Sequence, residues 1–198
     1  MNYLAHLYLA QPTSDSYYGN LLGDFRQGGL PGATTDAVLA GVQNHLLVDK
    51  FTDSHPLVRD ARRQFSRRTR KFSGVALDVM FDHYLITAWS QHHAMPFAEF
   101  KRLAYARLSE KLPVMPPVMQ QRVSAIITQD WFEHYASLDG TLQAISNIAR
   151  RVRFANEFAT ITDELATNDR ELRETFAAFF PELVAEVNQQ ALEHAHRD

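Results

Sequence analysis

Thr35-Asp36-Ala-Val38-Leu39-Ala-Gly-Val42-Gln-Asn-His45-Leu46-Leu-Val-Asp49-Lys-Phe51-Thr52-Asp53 reads as one long helix. Thr34, Thr35 or Asp36 can cap its start, and Val38, Leu39, Val42, Leu46 and the Phe51 region recur at steps of three and four. Ser54-His55-Pro56 ends it. His45, Asp49 and Asp53 follow one another at steps of four, each step turning roughly 400°, so the three share one face. Such a face can offer adjacent ligands to a cation. Equally, Asp49 can pair with Lys50 or nearby arginines while Asp53 caps the next element.

The same periodicity runs through the rest of the chain, and the alternating patterns of sheet are missing, so the fold class is all-α, a single-domain helical bundle over 1–198. Helices are predicted over 2–10 and 16–25, then a break at Gly28-Gly29-Leu30-Pro31-Gly32. After the long helix come segments at 57–71 and 73–91, the latter carrying Leu77, Met80, Phe81, Tyr84, Leu85 and Trp89. Further helices are predicted at 97–111, 117–135, 138–152, 154–176 and 180–195, separated by Pro113, Pro116-Pro117, Asp139-Gly140 and Pro181.

A chain of 198 residues with 45% hydrophobic and 22% charged residues can bury a substantial core. Cysteine is absent, which excludes disulfides, thiolate metal sites and cysteine nucleophiles, and leaves any metal to His, Asp and Glu. The N-terminus lacks the pattern of a signal peptide, and no stretch reaches the roughly 20 apolar residues of a membrane span, so a soluble cytoplasmic protein is expected. A net charge of −3 offers no general attraction to nucleic acid or membranes. Locally, however, seven of the thirteen residues from Arg59 to Lys71 are basic and only Asp60 is acidic.

Asp78 and Asp82 repeat the four-residue spacing among apolar neighbours, with His83 directly after. Unpaired buried carboxylates are costly, so acids there need a cation or hydrogen-bond donors. Asp24 lies between Gly23 and Phe25 at the end of an apolar helix, and His6 between Ala5 and Leu7. Glycine-rich phosphate loops and a Gly-x-Ser-x-Gly elbow are absent, so carboxylates, imidazoles and arginines remain as the chemical parts.

The segments Met1-Asn-Tyr-Leu-Ala-His6-Leu7, Gly19-Asn20-Leu-Leu-Gly-Asp24-Phe25, Thr52-Asp53-Ser-His-Pro56 and Leu77-Asp78-Val-Met-Phe-Asp82-His83, in this order, resemble the acyl carrier protein phosphodiesterases, also called acyl carrier protein hydrolases. The resemblance covers most of the chain and is strongest through about residue 90. It implies a helical fold distantly similar to the HD-type metal-dependent phosphohydrolases. It also implies a manganese-dependent or similar hydrolysis that removes 4'-phosphopantetheine from a serine of holo-acyl carrier protein, leaving the apo carrier. Here the adjacent pair is Asp82-His83, in the reverse order to the HD name, so ligands do not transfer by position.

On that footing the expected metal ligands are Asp24, His45, Asp49, Asp82 and His83, with Asp78 orienting a ligand or joining them. The metal is Mn2+, with Mg2+ or Fe2+ as alternatives. His6 is the candidate to protonate the leaving serine oxygen or contact phosphate. Acyl carrier proteins are acidic, so Arg62, Arg63, Arg67, Arg68 and Arg70 become docking candidates. Trp131, Phe132 and Phe154 are candidates to shelter the pantetheine arm, or else core. The rival readings are a metal phosphohydrolase acting on nucleotides or another small phosphodiester, and a noncatalytic adaptor for an acidic protein.

Overall fold

Thr35 starts the long helix as its side chain predicts: the hydroxyl accepts the Val38 amide at 3.2 Å, and α3 runs Asp36–Ser54. The computed structural model describes residues 1–25, 34–151 and 160–193. The break predicted at 28–32, together with Phe154, lies outside them. Among the described residues there are helices, turns and no strands, as the periodicity predicts.

Two short helices precede α3: α1, Tyr3–Leu9, and α2, Ser14–Leu22, capped by the Thr13 hydroxyl on the Ser16 amide. A 3-10 turn, Gly23–Phe25, follows. Helices α2 and α3 cross where neither has a side chain. A Cβ built on Gly19 falls 2.3 Å from the Val38 carbonyl oxygen, and one on Gly41 falls 3.0 Å from the Gly19 Cα. Beside this crossing, Asn44 donates to Asn20 Oδ1 at 3.0 Å, while Asn20 donates to the Ser16 carbonyl at 3.0 Å. Buried amides are thus satisfied in pairs.

These contacts rotate α3 relative to the apolar face read from its sequence. Val38, Val42, Asn44, His45, Val48 and Thr52 are buried, whereas Leu46 is 41% exposed. Polar residues take the inner face because partners await them there.

Helix α4 spans Pro56–Gln64 and ends earlier than the 57–71 predicted. Phe65 turns into the core in an extended conformation, and its carbonyl accepts the Arg70 guanidinium, so the basic segment folds back through a 3-10 turn, Arg70–Phe72. Helix α5, Ser73–Thr87, is buried on nearly every side, from Ala76 and Leu77 through Leu85, and contacts α1, α4 and later helices. A helix apolar all round is a central one. Ala88 separates it from α6, Trp89–His92, where one helix to 91 was predicted.

Helix α7 occupies Phe97–Lys111 as predicted. The segment predicted as 117–135 divides into α8, Pro117–Thr128, and α9, Trp131–His134, at Asp130, whose φ of 46° is left-handed. The strain is held by Lys101 Nζ at 2.7 Å and Tyr105 hydroxyl at 2.9 Å, both on the Asp130 carboxylate. Helices α10, Leu138–Arg151, α11, Ile161–Thr167, and α12, Asp169–Gln190, complete the described chain. Pro181 interrupts nothing: it lies inside α12, where Phe176, Phe179, Phe180 and Leu183 bury around it and outweigh one lost backbone bond.

Gly19→Ala puts a methyl group against backbone that cannot move aside. We expect a loss of about 2 kcal/mol, read as a lowered midpoint of thermal unfolding by circular dichroism. An unchanged midpoint would contradict the close crossing of α2 and α3.

Candidate functional site

Central α5 carries Asp82, which has no solvent exposure and must be compensated from within the protein. Its Oδ1 accepts the Ala5 amide at 2.9 Å, and its Oδ2 accepts the Leu4 amide at 3.0 Å and the Asn2 side chain at 2.9 Å. Asp82 therefore caps α1 from another helix, while Asn2, the local cap position, makes no such bond. Burial pushes its carboxyl up to about 7, opposed by the Leu4 and Ala5 amides.

With α1 seated on Asp82, its other side meets α3. His6 Nε2 lies 3.2 Å from Asp49 Oδ1, and His45 Nε2 lies 3.0 Å from Asp49 Oδ2. The two imidazoles stack at 4.1 Å between centroids, 20° apart in plane. Asp24 Oδ1 stands 3.6 Å from His45 Nε2. The Met1 ammonium lies 3.1 Å from Asp49 Oδ1 and 3.2 Å from Asp78 Oδ1. Gly23 permits this packing, since a Cβ there would fall 2.1 Å from the His45 ring.

The imidazoles are sealed, at 0% and 3% side-chain exposure, whereas the Asp24, Asp49 and Asp78 carboxylates keep 43%, 37% and 35%. Asp24 and Asp78 line the cleft, and the rings lie behind them. Burial pulls His6 down to about 4 against the opposing pull of the Asp49 carboxylate, and the ring is neutral at pH 7. Burial works to raise Asp49, but the facing His45 and His6 nitrogens and the Met1 ammonium hold it well below the usual carboxylate range. Desolvation raises both Asp24, against the pull of His45, and Asp78, against the pull of the Met1 ammonium. The ammonium itself is lowered by burial but carried up to about 10 by Asp78 and Asp49.

Donor atoms of His6, His45 and Asp49 all lie within 4.8 Å of one another, close to the span of ligands about 2 Å from one ion. His6 Nε2 is near Asp49 but not aligned to donate to it, and both His6 nitrogens and His45 Nδ1 find no hydrogen-bond partner among the described residues. A neutral His6 imidazole beside an ionised Asp49 carboxylate offers the lone pair and the charge that a divalent cation requires.

The structure thus brings together Asp24, His45, Asp49, His6 and Asp78, and leaves two predicted ligands apart. Asp82 has both carboxylate oxygens engaged with the start of α1. His83 points elsewhere, its Nδ1 2.7 Å from the Tyr135 carbonyl. Adjacent residues on a helix diverge by about 100°, and here Asp82 turns to α1 while His83 turns to Tyr135. Asp53, beyond Asp49, pairs at the surface with Arg62 at 3.1 Å.

Asp24 and Asp78 open into a cleft of about 260 Å³ also lined by Asn2, Tyr3, Val75, Arg122, Trp131, Tyr135 and Ile148. Arg122 is the functional candidate that sequence reasoning missed: a lone arginine on α8 in no motif. Its guanidinium lies 5.6 Å over the Trp131 ring and has no carboxylate partner among the described residues. Trp131 lines the cleft as its shelter role requires, whereas Phe132 is fully buried core.

The arginine row is divided in the same way. Arg62 pairs with Asp53, Arg63 pairs with Asp60, and Arg70 bonds the Phe65 and Arg63 carbonyls. Arg67 and Arg68 are exposed and make no ion pair among the described residues. Arg62 also packs over Gly74, next to the cleft residue Val75.

A family profile described as acyl carrier protein phosphodiesterase matches residues 1–183. Relatives of that same name are similar along nearly the whole chain. The one from Serratia proteamaculans (strain 568) is 34% identical over 194 residues, 97% of this chain and 100% of the relative. The one from Enterobacter sp. (strain 638) is 32% identical over 193 residues, with the same coverage. No solved structure matches.

Asp82→Ala leaves two backbone amides and the Asn2 side chain without their acceptor. A loss of about 3 kcal/mol in urea unfolding is expected, with faster hydrogen exchange at Leu4 and Ala5. Unchanged exchange at those amides would show that Asp82 does not hold α1.

Proposed function

We propose that this chain, which belongs to the acyl carrier protein phosphodiesterase family, hydrolyses the phosphodiester between a carrier-protein serine and 4'-phosphopantetheine, using a divalent ion, most plausibly Mn2+. The observation that carries this reading is the meeting of His6, His45 and Asp49 behind the cleft-facing acids Asp24 and Asp78. In this reading His6, His45 and Asp49 hold the ion, with Asp24 as the nearest further ligand. His6 thereby moves from an acid role to a ligand role, because it is sealed from the cleft. When bound, the ion supplies an activated water and neutralises phosphate charge.

The chain's own groups do the rest. Arg122 sits in the same cleft and binds the non-bridging phosphate oxygens with a guanidinium that no carboxylate among the described residues claims. Asp78, raised toward neutrality and facing the cleft, delivers a proton to the departing serine oxygen. Atoms balance simply: the water oxygen joins phosphorus, the bond from phosphorus to the serine oxygen breaks, and the serine hydroxyl is restored. The products are apo carrier and 4'-phosphopantetheine.

Arg67 and Arg68 are the docking residues in this reading, because the other predicted arginines are occupied within the protein. Arg62, packed over Gly74 at the start of α5, brings the basic segment that also carries Arg67 and Arg68 up to the cleft residue Val75.

Holo-carrier incubated with enzyme and Mn2+ should lose the mass of its prosthetic group, and a chelator should abolish that loss until Mn2+ is restored. Mn2+ affinity should fall at least about tenfold in His45→Ala and hold in His83→Gln. An Mn2+ affinity that depended equally on both histidines would overturn the assignment. Separately, Arg67→Glu with Arg68→Glu should raise KM for holo-carrier about tenfold with little change in kcat, and about 0.5 M salt should mimic it in the wild type. Salt-independent affinity would remove these arginines from docking.

A further inference from the structure

A second cavity, about 220 Å³, lies between α9 and α10. Trp131, Tyr135 and Ile148 line both it and the acid cleft, so the two hollows adjoin at these residues. Asp24, Asp78 and Arg122 lie on the cleft side of the Trp131 ring, and Gln143, Ala144 and Asn147 of α10 on the other.

The lining changes character between the two. The first hollow is charged, with two carboxylates and a guanidinium. The second has amides from Gln129, Gln143 and Asn147, the His134 imidazole, aromatic and apolar surface from Trp131, Tyr135, Ala144 and Ile148, and no Asp, Glu, Lys or Arg among its described lining residues. Gln143 and Asn147 bond one another at 3.3 Å, one turn apart on the exposed edge of α10, so both amides are presented on the same face. Among the described residues a charged group would find no carboxylate, ammonium or guanidinium there. A neutral chain that alternates amides with short aliphatic runs would find donors, acceptors and apolar contact in turn.

We infer that the α9–α10 groove is the subsite for the pantetheine arm of the substrate, with phosphate at the Arg122 end and thiol at the α10 end. This rests on the reaction proposed above and adds where its leaving group lies. The arm has the matching order of groups: a hydroxyl and a gem-dimethyl carbon near phosphate, then two secondary amides separated by methylenes. The shared residues Trp131, Tyr135 and Ile148 fall where the phosphate-proximal dimethyl group passes from one hollow into the next. Positioning the arm this way spends remote contacts on holding the phosphodiester in place.

Pantetheine without its phosphate is the probe for the groove alone. The chain has two tryptophans, and Trp89 is core, so a fluorescence change on pantetheine addition reports Trp131. Pantetheine should alter the wild-type emission saturably. Ala144→Phe, which fills the groove, should abolish that response and raise KM for holo-carrier about tenfold. Gln143→Ala with Asn147→Ala, at exposed positions that do not endanger folding, should weaken pantetheine and raise KM in parallel. Hydrolysis of holo-carrier with no pantetheine response and wild-type KM in these variants would overturn the groove and leave the reaction standing. A pantetheine response lost in Ala144→Phe, from an enzyme that leaves holo-carrier intact, would support the groove and overturn the reaction.

Discussion

The Asp82 carboxylate, buried in the middle of the fold and accepting three N–H groups from the first residues of the chain, is the constraint on which the rest depends. A charge there is tolerable only because the unsatisfied start of α1 is brought to it. Seating α1 in that way fixes Met1 and His6 against Asp49. The acid that looked most like a ligand thus builds the site without belonging to it. Central α5 consequently has two functions at two of its turns: Asp78 opens to the cleft, and Asp82, one turn on, anchors the strand of contacts that closes it.

The second support is the near contact of α2 and α3. Glycines at 19, 23 and 41 clear space for backbone and for the His45 ring. The Asn20–Asn44 pair satisfies the polar groups that this intimacy would otherwise strand. Asp24 arrives beside His45 because the 3-10 turn begins immediately after α2. Packing and chemistry therefore share residues in the Gly19-to-Phe25 segment.

Much of this was legible in the residues. All-α class, the bounds of α7, and the pairing of His45 with Asp49 follow from spacing alone, since period and step angle are local properties. Asp24 and His6 stand out as polar groups in apolar settings. The role of Asp82 was not legible, because local sequence shows that a buried acid needs a partner and not whether that partner is a metal or a row of amides. Neither was the end of α4, decided by Arg70 reaching the Phe65 carbonyl, nor Pro181, overruled by four aromatic and aliphatic neighbours. Arg122 could emerge only in three dimensions, where its lack of a carboxylate partner and its place over Trp131 become visible.

The left-handed corner at Asp130 bears on how substrate preference can drift. It sets the direction in which α9 leaves α8, and with it the tilt of Trp131 between the two hollows, yet it is clamped by Lys101 and Tyr105 from α7. Neither clamp residue is among the lining residues of either hollow. Helix α7 therefore acts as a distant adjusting screw: an exchange at Lys101 or Tyr105 would loosen the corner that aims the aromatic wall while leaving the ionisable cluster untouched.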